Sequence, residues 1–378
     1  MSKEFFKKQA PITALKTKIY EKYITGYLPK LLMQFGRCMM FDLFCGPGKN
    51  GEEKGSPLIL MDQLKYILSA PQLQQREGLR VEVFFNDQEK SFIDNLEKEL
   101  SALSYDRSIV HVQLTHQCCK GVLPGLVDRY GVMKDPKFFF LDPFKYSDVR
   151  MGDLNSLMAL PYTEVLLFVP LFHTYRFVGA STEFAEGHKT RAFIEEFTSR
   201  GVSDYTDALD YLLSIKERLL SELSRHGEKP YVREILLDAG SKKNALFLIT
   251  RHQAGMLLMN KTVLSLTDDG TVINVKEANQ PSLFSSEEIT RAYNLLSQNT
   301  EQLIEQRGRI GITNKELVDF VIREGYLPKH AKEIVKKLVG LGQVKVVAGN
   351  DEPLKSSQDW NIAEKITKTT IILWEDKK

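Results

Sequence analysis

Cysteine is scarce in this chain, and the four present are poorly spaced for any cross-link or metal site. Cys38 and Cys45 sit in or beside an apolar run, Cys118 and Cys119 are adjacent, and no C-x-x-C pattern occurs. Reduced core thiols are therefore expected, with neither a disulfide framework nor a thiolate metal centre. Long apolar runs are missing as well. Val165–Phe172 is far too short to span a bilayer, and residues 1–9 are charged and carry no apolar core of a secretory signal. A cytoplasmic protein with no membrane partner is the expectation. An excess of either charge is also lacking. Fifty-one Lys and Arg against 49 Asp and Glu leave +2, so any contact with nucleic acid must come from a local patch. Internal repeats and low-complexity segments are absent.

What is present is a chain of 378 residues, long enough for more than one domain. Helical spacing runs from Ile12 to Met33, with Leu15, Ile19, Tyr23, Tyr27 and Leu31 about one turn apart. Strand-like runs follow at Cys38–Phe44, Arg80–Phe85, Ile109–Leu114, Lys137–Leu141 and Glu164–Val169, with helical patterns between them. Ser56-Pro57 reads as the N-cap and first-turn pair of a helix reaching Leu68. This alternation predicts a mostly parallel, doubly wound sheet. Residues from about 172 to 228 read as a helical insertion above the strand ends. Val232–Leu237 and Ala245–Thr250, separated by a short turn, predict a late antiparallel pair. The predicted fold class is α/β, a Rossmann-like class I methyltransferase sheet over 1–284. Residues 285–378 then read as helix, turn, helix and two strands around a loop, the outline of a winged helix.

The first strand ends in Asp42-Leu43-Phe44-Cys45-Gly46-Pro47-Gly48. Gly46 to Gly51 matches G-x-G-x-x-G, a weak signal alone. A nicotinamide cofactor is disfavoured because the helix starts late, at Ser56, and the first acid fit for a ribose, Asp87, comes too far on. A P-loop is excluded because Glu52 and Glu53 stand where Lys-Ser/Thr would be required. S-adenosylmethionine (SAM) suits the loop better, since it has no pyrophosphate to cradle. Asp42 would receive its ammonium group, and Phe44, Gly46 and Gly48 would line its path. Asp87 would take the ribose hydroxyls, and His116, with Thr115, would reach the adenine.

A second constellation, Phe138-Phe139-Phe140-Leu141-Asp142-Pro143-Phe144, ends the fourth strand-like run beside the first. Amino methyltransferases of nucleic-acid bases carry Asp-Pro-Pro-aromatic at this point. The carboxylate accepts from the exocyclic amine and the ring stacks on the flipped base. Asp142, Pro143 and Phe144 are the candidates here, and Asp-Pro-Phe resembles the motif of tRNA guanine exocyclic-amine dimethyltransferases. Arg176 lies on the same rim, to meet a phosphate or to pair with an acid. In the C-terminal segment Lys329, Lys332, Lys336 and Lys337 share one predicted helix and Lys345 lies on the presumed wing, a pattern fit for phosphates that Glu333 interrupts.

Taken together, these stretches resemble the three-Cys-motif partner protein family. The resemblance rests on Lys16–Leu32, Phe41–Leu60, Phe138–Phe144, Tyr175-Arg176-Phe177 and Ala245–Met259. Lys145 departs from the family's usual Asp-Pro-Phe-Gly. The resemblance implies a SAM-dependent methyltransferase fold, in some members with a C-terminal winged helix, and a neighbouring radical-SAM-like three-cysteine protein as partner. The leading functional expectation is methyl transfer to a nucleic-acid base, RNA being slightly favoured. Its rivals are a non-catalytic SAM-binding scaffold that recruits nucleic acid, and a nicotinamide-dependent oxidoreductase.

Overall fold

The computed structural model describes residues 11–171, 174, 185–201, 205–239, 242–267, 272–274, 286–308, 310–348 and 352–375. The chain divides into two compact units, one of Met1–Leu258 with Val272–Asn279, the other of Met259–Thr271 with Gln280–Lys378.

In the first unit α1 (Pro11–Phe35) leads into β1 (Arg37–Asp42). A tiny hairpin, β2 (Lys49–Asn50) and β3 (Glu53–Lys54), precedes α2 (Ser56–Leu68). The remaining strands are β4 (Arg80–Asn86), β5 (Val110–Thr115), β6 (Lys137–Leu141), β7 (Thr163–Val169), β8 (Tyr231–Ala239), β9 (Lys242–Thr250) and β10 (Val272–Asn274). They form one sheet in the order β10-β8-β9-β7-β6-β1-β4-β5. Every pair from β5 across to β7 is parallel, whereas β9 runs antiparallel to both β7 and β8. This is the Rossmann-like sheet with a late antiparallel hairpin that the sequence predicts.

The apolar runs explain why the sheet is central. All residues of β6 and β7 are buried, as strands covered by helices on both faces must be. One cover is α1, whose aromatic stripe follows β6. Tyr20 stacks on Phe140 at 4.7 Å between centroids, and Tyr23 on Phe138 at 5.8 Å. The chain winds outward from β1 through β4 to β5, then returns past β1 to β6. The crevice at the carboxyl ends of β1 and β6 is thus the switch point where such sheets bind ligands.

Three local readings change. Gly55, not Ser56, caps α2, and Ser56 is its first helical residue. The hairpin β2–β3 fills the gap between glycine loop and helix that the sequence leaves unassigned. Of the presumed insertion, the helix Ala208–Glu222 lies against β8 and β9 and so works as a crossover on the sheet's flank. The helix Ala185–Phe197 lies beside the short turn Tyr146–Asp148. Of the expected turn Asp238-Ala239-Gly240-Ser241, Asp238 and Ala239 belong to β8 instead, and Gly240 and Ser241 lie outside the described residues.

The second unit contains helices Ser286–Arg307, Asn314–Arg323 and Pro328–Gly340. Its strands β11 (Ile312–Thr313), β12 (Val344–Ala348) and β13 (Thr370–Trp374) form an antiparallel sheet in the order β11-β13-β12. Thr313 and Glu316 make the capping box of the second helix. Buried Asn314 donates to the carbonyls of Asn361 and Lys368 and accepts from Thr370 N, tying the long loop before β13 to the helix start. Among the described residues no helix is long and apolar enough to cross a membrane.

Candidate functional site

The register of the sheet sets the site. Asp42 ends β1 opposite Phe85 of β4 and Phe140 of β6, and Asp142 follows two residues beyond Phe140. Asp42 is 2% exposed. Its Oδ2 accepts from Ser56 Oγ at 2.6 Å and its Oδ1 from Phe44 N at 3.3 Å. Burial pushes its carboxyl up to about 7, nearby Asp142 and Asp87 add to that, and the Ser56 and Phe44 hydrogen bonds oppose it. Ser56 thus serves the carboxylate rather than the helix end.

The glycine loop is held from β4. Cys45 N donates to Asn86 O at 3.0 Å and Gly46 N to Asp87 Oδ2 at 3.0 Å. Gly46 and Gly48 have φ of +64° and +86°, conformations that L side chains rarely adopt. A Cβ on Gly48 would also stand 2.9 Å from Leu96 Cδ1. Asp87 caps the next turn as well, accepting from Glu89 N at 3.0 Å, and burial raises its carboxyl. Beside it Asn86, fully buried, donates to the carbonyls of Leu43 and Gln117 and accepts from Thr115 Oγ1 and Gln117 N. One amide therefore ties the ends of β1, β4 and β5 together.

A cavity of about 150 Å³ opens between these ends, with Phe44, Asp87, Gln117, Cys118 and Phe144 in its wall. It is smaller than the ~300 Å³ at which whole-ligand pockets begin, and of a size for one ring system. Phe144 belongs to this wall, and Asp142 does not. His116 does not line it. The strand-end residue that does is Gln117, while Thr115 spends its hydroxyl on Asn86.

Asp142 meets a group that the sequence reading does not single out. Lys16, in the second turn of α1 and almost wholly buried, pairs with Asp142 Oδ2, and its ammonium lies 4.5 Å from the centre of the Phe168 ring. Pro143 is buried and lines a small crevice together with Leu167 and Phe168. Lys16 was open to detection, because a lysine one turn before the stripe Tyr20, Tyr23, Tyr27 lies on a buried face and needs a partner. Asn86, a polar residue closing an apolar strand, carried the same signal. Tyr175, Arg176 and Phe177 lie outside the described residues.

In the second unit Lys329, Lys336 and Lys337 are exposed and Lys332 is half-buried, on the side of their helix away from buried Ala331, Ile334, Val335 and Leu338, and Lys345 is exposed on β12. Lys345 pairs with Glu375 at 3.2 Å. Among the described residues no group of three His, Cys, Asp or Glu stands where it could hold a metal ion.

No family model matches the chain, and no curated protein matches it. Solved structures similar to it include the O-methyltransferase TomG from Streptomyces achromogenes in complex with SAM, at 13% identity, covering 64% of this chain and 91% of that one with a TM-score of 0.34. Cofactor-bound Rv0187 from MTB is 10% identical over 63% of this chain and 80% of its own, TM-score 0.31. Magnesium protoporphyrin IX methyltransferase (ChlM) from Synechocystis PCC 6803 with bound SAH is 10% identical over 65% and 91%, TM-score 0.29. Likenesses this distant bear on neither substrate nor activity, and the fold assignment rests on the strand order of this sheet.

Proposed function

We propose that this chain is a SAM-dependent methyltransferase acting on an exocyclic amine of a nucleic-acid base, RNA being the favoured polymer. The observation that carries this reading is the convergence of Asp42, the glycine loop, Asp87 and Asp142 on one sheet edge, at the switch point between β1 and β6. The residues fit the cofactor. Asp42 offers a buried carboxylate for an ammonium group. Asp87 lines the small cavity, positioned by backbone hydrogen bonds from Gly46 and Glu89, where it would take a ribose. Phe44 and Phe144 both line the small cavity, which suits Phe144 to the adenine rather than to the acceptor. Bound there, SAM would supply an electrophilic methyl group on a sulfonium. Asp142 would hold the acceptor amine, with Pro143 stiffening the turn that presents it, and Lys16 would fix the carboxylate.

The resemblance to three-Cys-motif partner proteins supports a radical-SAM-like three-cysteine protein as partner. A winged helix over 285–378 would bring Lys329, Lys332, Lys336, Lys337 and Lys345 to phosphates. The pairing of Lys16 with Asp142 favours a second reading, a scaffold that binds SAM and recruits nucleic acid without transferring a methyl, because the carboxylate already has a partner. Methyl-labelled SAM separates the two. Retention on the protein with transfer to bulk tRNA or DNA is expected, and retention without transfer to any nucleic acid would favour the scaffold.

A further inference from the structure

The opposite pole of the sheet carries a second and larger cavity, of about 360 Å³, where β6 and β7 begin and β9 ends. Among its polar groups is Glu164, the second residue of β7. Glu164 is buried, accepts from Tyr23 Oη at 2.6 Å through Oε2 and from Thr250 Oγ1 at 2.8 Å through Oε1. Residue 255 has to be glycine for the carboxyl to stand there, since a Cβ would lie 2.2 Å from Glu164 Oε1. Glu164 pairs with Phe138 in register, and Asp142 lies four residues farther along β6. The two sites are therefore about 13 Å apart along the sheet, and this one is at the end that the parallel strands do not use for their ordinary ligands.

The mouth is aromatic and basic. Phe35, Tyr162 and His252 stand in a row, with ring centroids 5.9 and 6.3 Å apart, and all three line the cavity. Tyr162 is 46% exposed and has φ of +51°, a conformation costly for an aromatic residue and here spent on holding a ring at the rim. Lys30 lines the same mouth, and among the described residues no ion pair engages it. An ionised carboxylate has about four acceptor positions. Burial pushes the Glu164 carboxyl up to about 7, and once ionised it has acceptor capacity beyond the bonds from Tyr23 and Thr250.

We propose that this cavity binds a guanine nucleotide. The two oxygens of one carboxylate match a planar edge with two adjacent N–H donors, as on the ring N–H and exocyclic amine of guanine. Tyr162, at the rim, supplies a face for the ring, and Lys30 and His252 meet the phosphate. A guanidinium compound has the same donor edge, but it brings positive charge to a basic mouth and has no tail for it.

Isothermal titration of the full chain with guanosine monophosphate tests the assignment. Inosine monophosphate, which lacks the exocyclic amine, is expected to bind at least tenfold more weakly, because a site built around donors leaves its acceptors unpaired with the analogue. Glu164→Gln, checked for folding by circular dichroism, is expected to lose at least tenfold in the same titration. Lys30→Ala and His252→Ala change only rim residues. They are expected to weaken the nucleotide several-fold and leave guanosine unchanged. The assignment fails if guanosine monophosphate does not bind at millimolar concentration. It fails equally if folded Glu164→Gln binds like wild type, if agmatine binds more tightly than the nucleotide, or if S-adenosylhomocysteine (SAH) displaces the nucleotide competitively.

Discussion

Lys16 and Asp142 form an ion pair that fastens the start of α1 to the residue just beyond β6, with side-chain exposures of 9% and 23%. The same helix reaches the other end of the sheet, where Tyr23 donates to Glu164. Neither lysine nor tyrosine is there for helix formation. Each answers a carboxylate that the sheet buries.

Removing one partner of this pair is expected to cost more than removing both. Lys16→Met leaves Asp142 without its cation, and breaking a buried pair costs ~3–5 kcal/mol, less here because Asp142 keeps some contact with water. Urea unfolding of Lys16→Met, Asp142→Asn and the double variant forms a cycle. A double variant markedly more stable than the sum of the single losses is the expected result. Strict additivity would mean that the pair contributes nothing.

Asp42 gives a pH signature. Its carboxyl titrates near 4 in an unfolded chain and is held up to about 7 here. Between those values the folded protein keeps a proton that the unfolded chain has released, so this group's contribution to stability falls as pH rises from about 4 to about 7. A cationic cofactor beside Asp42 favours the charged carboxylate, so binding should expel that proton. Titrations of SAM at pH 6 in buffers of different ionisation enthalpy should show release of up to one proton, absent in Asp42→Asn. Heats independent of buffer would remove Asp42 from the cofactor's surroundings.

The sheet was legible because its signals are local and redundant. Phe138–Leu141 and Val165–Val169 are apolar runs of strand length, and buried parallel strands leave few other readings. The site was legible only in its chain-order parts. Asp42, Gly46 and Gly48 announce a loop, but nothing near Ser56 in sequence says that its hydroxyl will turn back to Asp42 instead of capping α2. His116 and Gln117 differ by one residue at a strand end, and one residue reverses which face a side chain takes. Lys16 and Asp142 are 126 positions apart, and only the packing of α1 along β6 brings them together. The second cavity was invisible for the same reason, since Tyr27, Tyr162 and His252 meet only once the sheet is assembled.

Backbone geometry at the loop offers a direct test of the cofactor. Gly46 sits at φ +64°, and a β-branched side chain there is strained wherever it points. Gly46→Val is expected to weaken SAM binding at least tenfold in isothermal titration while circular dichroism stays unchanged. Wild-type affinity in that variant, or tighter binding of NAD than of SAM by the wild type, would overturn the cofactor assignment.

Cys118 provides a reporter for the small cavity. Contrary to the expectation of a core thiol it is exposed, and it lines that cavity, whereas Cys38, Cys45 and Cys119 are buried. N-ethylmaleimide should add first at Cys118, and saturating SAH should slow the addition several-fold, as read by mass spectrometry. An unchanged rate would place the ligand elsewhere.

The choice between enzyme and scaffold turns on Asp142. Transfer requires the acceptor amine to be held in line with the methyl group rather than merely nearby. A carboxylate that accepts from the amine also steadies the positive charge that grows on nitrogen. Asp142 already has Lys16 on Oδ2, and its remaining lone pairs are open to an acceptor. Asp142→Asn keeps the shape and removes the charge, and loss of such an electrostatic contact costs on the order of a hundredfold in turnover. SAM affinity should barely move, because Asp142 is assigned to the acceptor, and Asp42 and Asp87 to the cofactor. The variant also frees Lys16, so a loss of activity could follow from a shifted α1. Lys16→Met with Asp142→Asn controls for that. If the carboxylate is needed for transfer, the double variant is as inactive as the single one even where its stability is restored. Recovered turnover in the double variant would assign Asp142 to Lys16 alone, and the scaffold would then be the better account of this protein.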